Sequence, residues 1–261
     1  MWEYRSMDTL KKSQKGFSLI ELMIALMVSF LIIAGLFYSV IGDLKSYESA
    51  RGTQGIVSKN RMVVQTMRLY IQQAGFRDLP QIQADKLYDA ETSTAGWVWE
   101  RGQILQGAIN SGVILDEKAD SDILVLRFSG ASQSGIVSCD GTNLLTDTTH
   151  EVTIYVNNNN QLMCQDNNDA PLLLDDNVEF LELLYGTADN TTRYFSAIDV
   201  TNWNTVDRIK IGLLLSQEVA MNTGLKNSNS YTIFNKTIAA ANDSNYRSVV
   251  METVLISNRG G

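Results

Sequence analysis

Residues 15–41 read KGFSLIELMIALMVSFLIIAGLFYSVI, and the fold class follows from them. From Leu22 to Ile41 no residue carries a charge. A helix rising about 1.5 Å per residue over such a run spans the roughly 30 Å hydrocarbon core of a bilayer. No other stretch of the chain approaches its length or purity. Arg5, Lys11, Lys12 and Lys15 precede it, whereas Asp43, Lys45 and Glu48 follow it. The positive-inside rule therefore predicts a cytoplasmic N-terminus and an exported remainder. A cleaved secretory signal has a shorter apolar region, about 7–15 residues, ending at a small-residue site. Here Gly42-Asp43 runs on into helical sequence instead. One residue resists the reading as a plain anchor. Glu21 heads the apolar stretch, and a carboxylate within a membrane helix costs about 2.5–3.5 kcal/mol, so it needs a partner or a purpose.

Beyond Ile41 the pattern turns amphipathic. Val63, Met67, Tyr70 and Ala74 share one helical stripe, Val64 and Ile71 lie beside it, and Arg61, Arg68 and Gln72 fall outside. Gly75 stands where an αL cap would end the helix. The spacing predicts one continuous helix over 17–74, with Gly35, Gly42, Gly52 and Gly55 as weak points. From Phe76 the period shifts towards two. Asp122–Phe128, Glu151–Val156, Val206–Leu214 and Arg247–Ile256 read as strands between Gly, Asn and Asp clusters. Ile209, Ile211 and Leu213 alternate with Arg208, Lys210 and Gly212, which predicts one buried and one wet face. Asn157–Asn160 reads as a hairpin turn. The chain shows no internal repeat.

Composition narrows the chemistry. The 261 residues hold 21 basic and 29 acidic side chains, a net charge of −8. Bulk charge of that sign repels a phosphate backbone and argues against nucleic-acid binding. One histidine, His150, and two cysteines leave few ingredients for a triad or a metal centre, and no catalytic residue, cofactor or metal site is assigned. His150 reads as a turn or strand-edge residue. No GxxxxGK[ST] loop is present, which excludes a P-loop ATPase. With export expected, Cys139 and Cys164 are expected to form a disulfide, and a reactive thiol is the alternative. Asp166-Asn167-Asn168-Asp169 and Asp175-Asp176-Asn177 offer oxygen ligands for calcium but lack the glycine and distal glutamate of an EF-hand, so they read as solvated turns. Asn190-Thr191-Thr192, Asn235-Lys236-Thr237 and Asn242-Asp243-Ser244 are formal glycosylation sequons and carry little weight.

The segment Lys15-Gly16-Phe17-Ser18-Leu19-Ile20-Glu21-Leu22-Met23 resembles the prepilin signature of the type IV filament superfamily. The resemblance implies that a prepilin peptidase cuts between Gly16 and Phe17 and N-methylates Phe17. It also implies that Glu21, then the fifth residue, serves subunit assembly by facing the N-terminal ammonium of a neighbour. At about 4 Å and an effective dielectric of about 20, such a pair attracts by about 4 kcal/mol before desolvation. Met7 offers a shorter leader, MDTLKKSQKG, with the same mature product. Many major pilins carry a proline near the position of Tyr38, which this chain lacks.

Further along, Val178–Gly186 (VEFLELLYG), Asp189-Asn190, Arg193-Tyr194, Trp203 and Val206–Leu214 resemble the PilW group of minor pilins. So do Ser121–Phe128, Asn157–Cys164, Gln73-Ala74-Gly75-Phe76 and the closing 253–259 (TVLISNR). Many members have a glycine-cysteine after the helix, where Arg77-Asp78 stand here. The likeness implies an α+β, type IV pilin-like fold, with a long N-terminal helix packed on an antiparallel-rich β-sheet head. Its divisions would be a leader over 1–16, a helix over 17–75 that crosses the membrane at about 22–41, and a periplasmic or extracellular head over 76–261. It implies a minor pilin that primes type IV pilus assembly from the tip and supports pilus display, twitching and adhesion. Partners would be other minor pilins, the major pilin, the prepilin peptidase, an inner-membrane assembly platform and a tip adhesin. The alternatives are a J-type minor pseudopilin of type II secretion and a DNA-uptake pilin.

The leader reading predicts a mature chain that begins at N-methylated Phe17, read by mass spectrometry of the purified protein. Peptides joining Lys15 to Phe17 in that mature form would refute it. Replacing Gly16 by a bulky residue is expected to block the cut.

Overall fold

The computed structural model describes residues 16–78, 88–218, 229–239 and 241–258. The basic leader residues Arg5, Lys11, Lys12 and Lys15, and Arg259, lie outside them. Helix α1 runs without interruption from Leu19 to Gln73, through all four of its glycines. The chain divides into two compact units, 1–49 and 50–261.

In the second unit the end of α1 supplies Ile56, Val63, Met67, Tyr70 and Ile71 to the main core. These are the stripe that the helical period predicts, with Ile56 added one turn earlier. The helix stops where expected. Gly75 takes φ +76°, and a side chain there would meet the carbonyl oxygen of Asn258. Its N–H donates to Arg127 O at 2.9 Å, which ties the turn to the sheet. Gly52, read from sequence as a weak point, has a packing reason: an added Cβ would lie 2.6 Å from the Tyr246 ring.

Thirteen strands follow among the described residues. β1 (Glu91–Thr92) and β2 (Val98–Trp99) form a small hairpin. β3 (Leu105–Ile109), β4 (Asp122–Ser129), β5 (Thr149–Val156), β6 (Gln161–Asp166) and β7 (Leu172–Asp176) make a five-stranded antiparallel sheet in sequence order. β8 (Val178–Thr187), β9 (Asn190–Phe195) and β10 (Val206–Gln217) belong to a second sheet. β11 (Ser230–Ile233) and β12 (Lys236–Ala239) pair as another hairpin, and β13 (Tyr246–Leu255) completes the second sheet in the order β13-β10-β8-β9. Asn157–Asn160 turns β5 into β6 as expected, with Asn160 at φ +60°.

Alternation along the strands sorts the interior into layers. Leu124, Leu126, Val152, Ile154, Leu181, Leu183, Ile209, Ile211 and Leu213 join the helix residues in the main core. The opposite face of the first sheet is covered by the β1–β2 hairpin, where Trp97 and Trp99 pack with Ile123, Val125 and Tyr155. The opposite face of the second sheet is covered by the β11–β12 hairpin, through Ile233 against Phe180 and Leu214. The wet face expected for β10 is therefore partly closed. Arg208 is 9% exposed, and Gly212 leaves room for Ile233, whose Cγ2 an added Cβ would approach to 2.2 Å.

The largest fully buried side chain is charged. Arg127 donates to the carbonyl oxygens of Asp89, Glu100 and Gln103, and its guanidinium lies over the Tyr88 and Trp99 rings. Burial lowers its pKa to about 10. Three carbonyls and two rings account for that group structurally, because a buried charge must be matched by hydrogen bonds. Beside it, Glu151 accepts from Trp99 Nε1 and from Ser93 Oγ, which fixes the first hairpin on the sheet.

Cys139 and Cys164 form a disulfide with Cα atoms 5.6 Å apart. It joins the loop before β5 to a fully buried position on β6. The same loop is pinned to α1: Gln73 exchanges hydrogen bonds with Val137 in both directions, and Tyr70 OH donates to Ser138 O. Closing a loop between residues 25 apart is worth about 3.5 kcal/mol in the chain-entropy estimate. Cys139→Ser is thus expected to lower head stability by about 2–4 kcal/mol in denaturant titrations of the detergent-solubilised chain, with membrane insertion unchanged.

Candidate functional site

Among the described residues, no cluster of three or more His, Cys, Asp or Glu could hold a metal ion. The candidate groups are engaged in the fold. His150 lies on β5, its Nδ1 3.0 and 3.1 Å from the two Asp166 carboxylate oxygens, and this hydrogen-bonded partner raises its pKa. Asn167 Oδ1 accepts the Glu151 N–H, and Gln165 Nε2 donates to Asp169 O. Asp175, expected in a solvated turn, instead lies on β7 with its side chain 8% exposed, 2.9 Å from Lys59 Nζ on the helix. An open groove of about 470 Å³ runs past Arg61, Val64, Gln65, Arg68, Leu69 and Gln72. A polar cleft of about 350 Å³ lies around Lys118, Glu179, Asp243 and Arg247, whose charges already meet one another or backbone oxygens.

The chemistry left without an internal partner is at the N-terminal end. Every residue from Gly16 to Tyr47 is exposed. Leu19–Gln73 contains a segment apolar enough to cross a membrane, and none of that segment is buried within the protein. A helix apolar on all sides is stable only inside lipid or among other apolar helices. Glu21 stands immediately before the expected span, and the next charge on the helix is Asp43.

The first turn positions Glu21 in a way that sequence reading missed. Ser18 is the residue before the helix, and its N–H donates to Glu21 Oε2 at 3.0 Å. Ser18 O accepts from Leu22 N at 3.1 Å, the first bond of the helical ladder. This is the glutamate half of a capping box, and the S-x-x-E pattern at 18–21 was its signal. Cap geometry occupies one carboxylate oxygen of a side chain that is itself exposed. Gly16 and Phe17 precede this turn. An added Cβ at Gly16 would meet nothing within 4 Å, and Phe17 is 90% exposed. Among the described residues nothing demands a glycine at position 16.

The cap separates two roles for Glu21 experimentally. Glu21→Gln keeps an oxygen for the Ser18 N–H and removes the charge, whereas Glu21→Ala removes both. Both variants are expected to insert and to be cleaved, and both are expected to lose co-purification with neighbouring pilins. Recovery of assembly by the glutamine variant would assign the residue to capping alone.

Residues 11–37 match the prokaryotic N-terminal methylation motif, which contains Gly16, Phe17 and Glu21. Residues 146–258 match the family model described as type IV pilus-assembly protein W, PilW. That match takes in β8, β10 and β13, while Ser121–Phe128 and Gln73–Phe76 fall outside it. Among solved structures, a type IV-like pilin from Thermus thermophilus superposes with a TM-score of 0.49 and 14% identity, over 79% of this chain and 97% of that one. No curated protein matches this chain.

Proposed function

We propose that this type IV pilin-like protein of pilus assembly acts as a minor pilin that initiates filament growth, held first in the inner membrane by one span and displayed afterwards at the pilus tip. The observation that carries the reading is the uncovered apolar helix headed by Glu21, joined in one chain to a PilW-like head. Lipid covers that helix before assembly, and the helices of other pilins cover it afterwards. Transfer between the two is nearly neutral for apolar side chains, because lipid tails and leucines are alike. The carboxylate supplies the preference. In lipid it is an unpaired charge, and beside the N-terminal ammonium of a neighbour it is paired.

Processing fits the same scheme. Among the described residues nothing lies within 4 Å of a Cβ added at Gly16, which supports a requirement imposed from outside, by a peptidase that must admit an extended backbone. Cleavage there creates the ammonium at Phe17 that the scheme needs. The exported remainder lies on the periplasmic side, where the Cys139–Cys164 disulfide is stable.

The head supports an initiating role over a shaft role. A first subunit lacks the lateral neighbours that later ones find, and large heads are hard to repeat along a tightly packed shaft. Its partners would be other minor pilins below and beside it, the major pilin and the assembly platform, with a tip adhesin above. Deleting the gene is expected to reduce surface pili and twitching sharply, measured by sheared-pilus yield and colony spreading. If piliation survives and secretion of folded exoproteins stops, the pseudopilin reading replaces this one. Loss of transformation alone would point to DNA uptake.

A further inference from the structure

β13 is one edge of the second sheet, and it differs from the other edges of the two large sheets. The short helical turn Ala197–Asp199 lies against β3. β7 is only five residues long, its partner β6 shifts register along it, and it ends in Asp175-Asp176. β9 pairs with β8 through Tyr185, Gly186 and Thr187 alone, again with a shift in register. Cover, shortness, irregular pairing and charge are the devices that keep an edge from accepting a foreign strand. β13 has none of them over Met251–Leu255. It pairs with β10 without a break, and Met251, Thr253 and Leu255 are exposed and uncharged. The one charge in this stretch, Glu252, is ion-paired with Arg68 of α1.

The ladder fixes which backbone groups face outward. Ile256 N–H donates to Asp207 O at 2.9 Å, in register with the pairs Ile209–Val254 and Ile211–Glu252. Hydrogen-bonded and non-bonded pairs alternate along an antiparallel ladder. Val250, Glu252 and Val254 therefore bond to β10, and Met251, Thr253 and Leu255 turn their N–H and C=O groups to the opposite flank. Among the described residues nothing donates to or accepts from those groups. On its inner side the flank is bounded by α1. Asn60 Nδ2 donates to Ser248 Oγ at 2.9 Å, and Asn258 Nδ2 donates to Gln72 O at 2.8 Å. Arg68 and Gln72 also line the open groove that runs past Arg61, Val64 and Leu69. A segment laid along β13 would set alternate side chains beside Met251 and Leu255 on one face and towards this groove on the other. Arg61 is exposed and has no anionic partner among the described residues, so it suits a carboxylate on the groove side.

We propose that the free edge of β13 receives an extended segment of a neighbouring filament subunit, alternately apolar and polar, with a carboxylate facing Arg61. The inference rests on the assembly role proposed above and names the surface through which one partner docks. Only another extended backbone offers donors and acceptors at the two-residue spacing of Met251, Thr253 and Leu255. Main-chain bonds supply the affinity, and the side chains on the two faces supply the selectivity. Met251 and Leu255, 46% and 66% exposed, are the apolar contacts on the outer face. A second copy of this chain, pairing edge to edge, is the rival occupant.

The experiment uses the full chain in detergent. Amide exchange is expected to be fast at Met251, Thr253 and Leu255 and slow at Val250, Glu252 and Val254, with a monomer by light scattering. A capped peptide of alternating valine and aspartate is the probe. It is expected to slow the three outward amides by about tenfold or more, and its fully N-methylated form to leave them unchanged. Thr253→Pro removes an N–H that the β10 ladder does not use, so the variant is expected to keep the wild-type thermal midpoint and to ignore the peptide. In cells the same variant is expected to be inserted and cleaved as wild type is, and to lose surface pili. Should it fail to fold, Met251→Lys places a charged guard on the same edge and serves instead. Slow exchange at the outward amides of the free chain, no protection by the peptide, or equal protection in the proline variant would overturn the proposal. A dimer that Thr253→Pro converts to monomer would give the edge to a second copy. If deleting the gene removes pili and Thr253→Pro leaves them, the edge is refuted while the initiating role stands; if neither removes them, both fall.

Discussion

An apolar helix that none of the described residues covers is the constraint on which the rest depends. From Gly16 to Tyr47 every side chain is exposed, and water cannot be the final neighbour of such a surface. Lipid and other apolar helices are both acceptable surroundings, so the hydrophobic effect holds the segment out of water without choosing between them. From Leu19 to Gly42 the helix carries a single charge, Glu21. The remainder of the chain carries a different obligation: it buries a core of its own while remaining attached to a helix that cannot leave one apolar environment without entering another.

The same helix changes character without a break. Its later turns bury Val63, Met67, Tyr70 and Ile71 against two sheets, with charged residues such as Arg61 and Arg68 left outside. One secondary structure thus serves two solvents, and the change is written in periodicity alone. Around it the head is layered more deeply than a simple two-layer domain. Each sheet buries its inner face on α1 and has a small hairpin over part of its outer face. Arg127 and Glu151 occupy one such outer layer. Their hydrogen bonds make the attachment of a short hairpin specific where its apolar area alone would be small.

How much of this was legible follows from the length of each signal. Helix α1 starts two residues after the expected Phe17 and stops one before Ala74, because a long stripe at period 3.6 leaves little room for error. The four expected strands are present, each extended at one or both ends except at the C-terminal limit of β13. The hairpins were not legible. β1 and β2 have two residues each, too few for any period, and Trp97 and Trp99 gave no hint of which face they would cover. That omission explains the misreading of β10 as wet on one side: Arg208, Lys210 and Gly212 look polar or small in sequence, but Gly212 is small because Ile233 packs against it. The glycines of α1 illustrate the same limit. A propensity scale scores Gly52 as a weakness, and only the position of Tyr246 reveals it as a fit. At the N-terminus the pattern around Glu21 was clear, while its share in the helix cap depended on a hydrogen bond that two roles can use at once.

The buried end of the disulfide has a consequence for the order of biogenesis. Cys164 is fully enclosed in the main core, with α1 and both sheets around it. A thiol in that position is out of reach of any oxidising enzyme once the head has closed. Oxidation must therefore come while β6 is still accessible, before the core is sealed. Folding and oxidation thus compete for the same half-formed core, and the order of the two decides whether the bond forms at all.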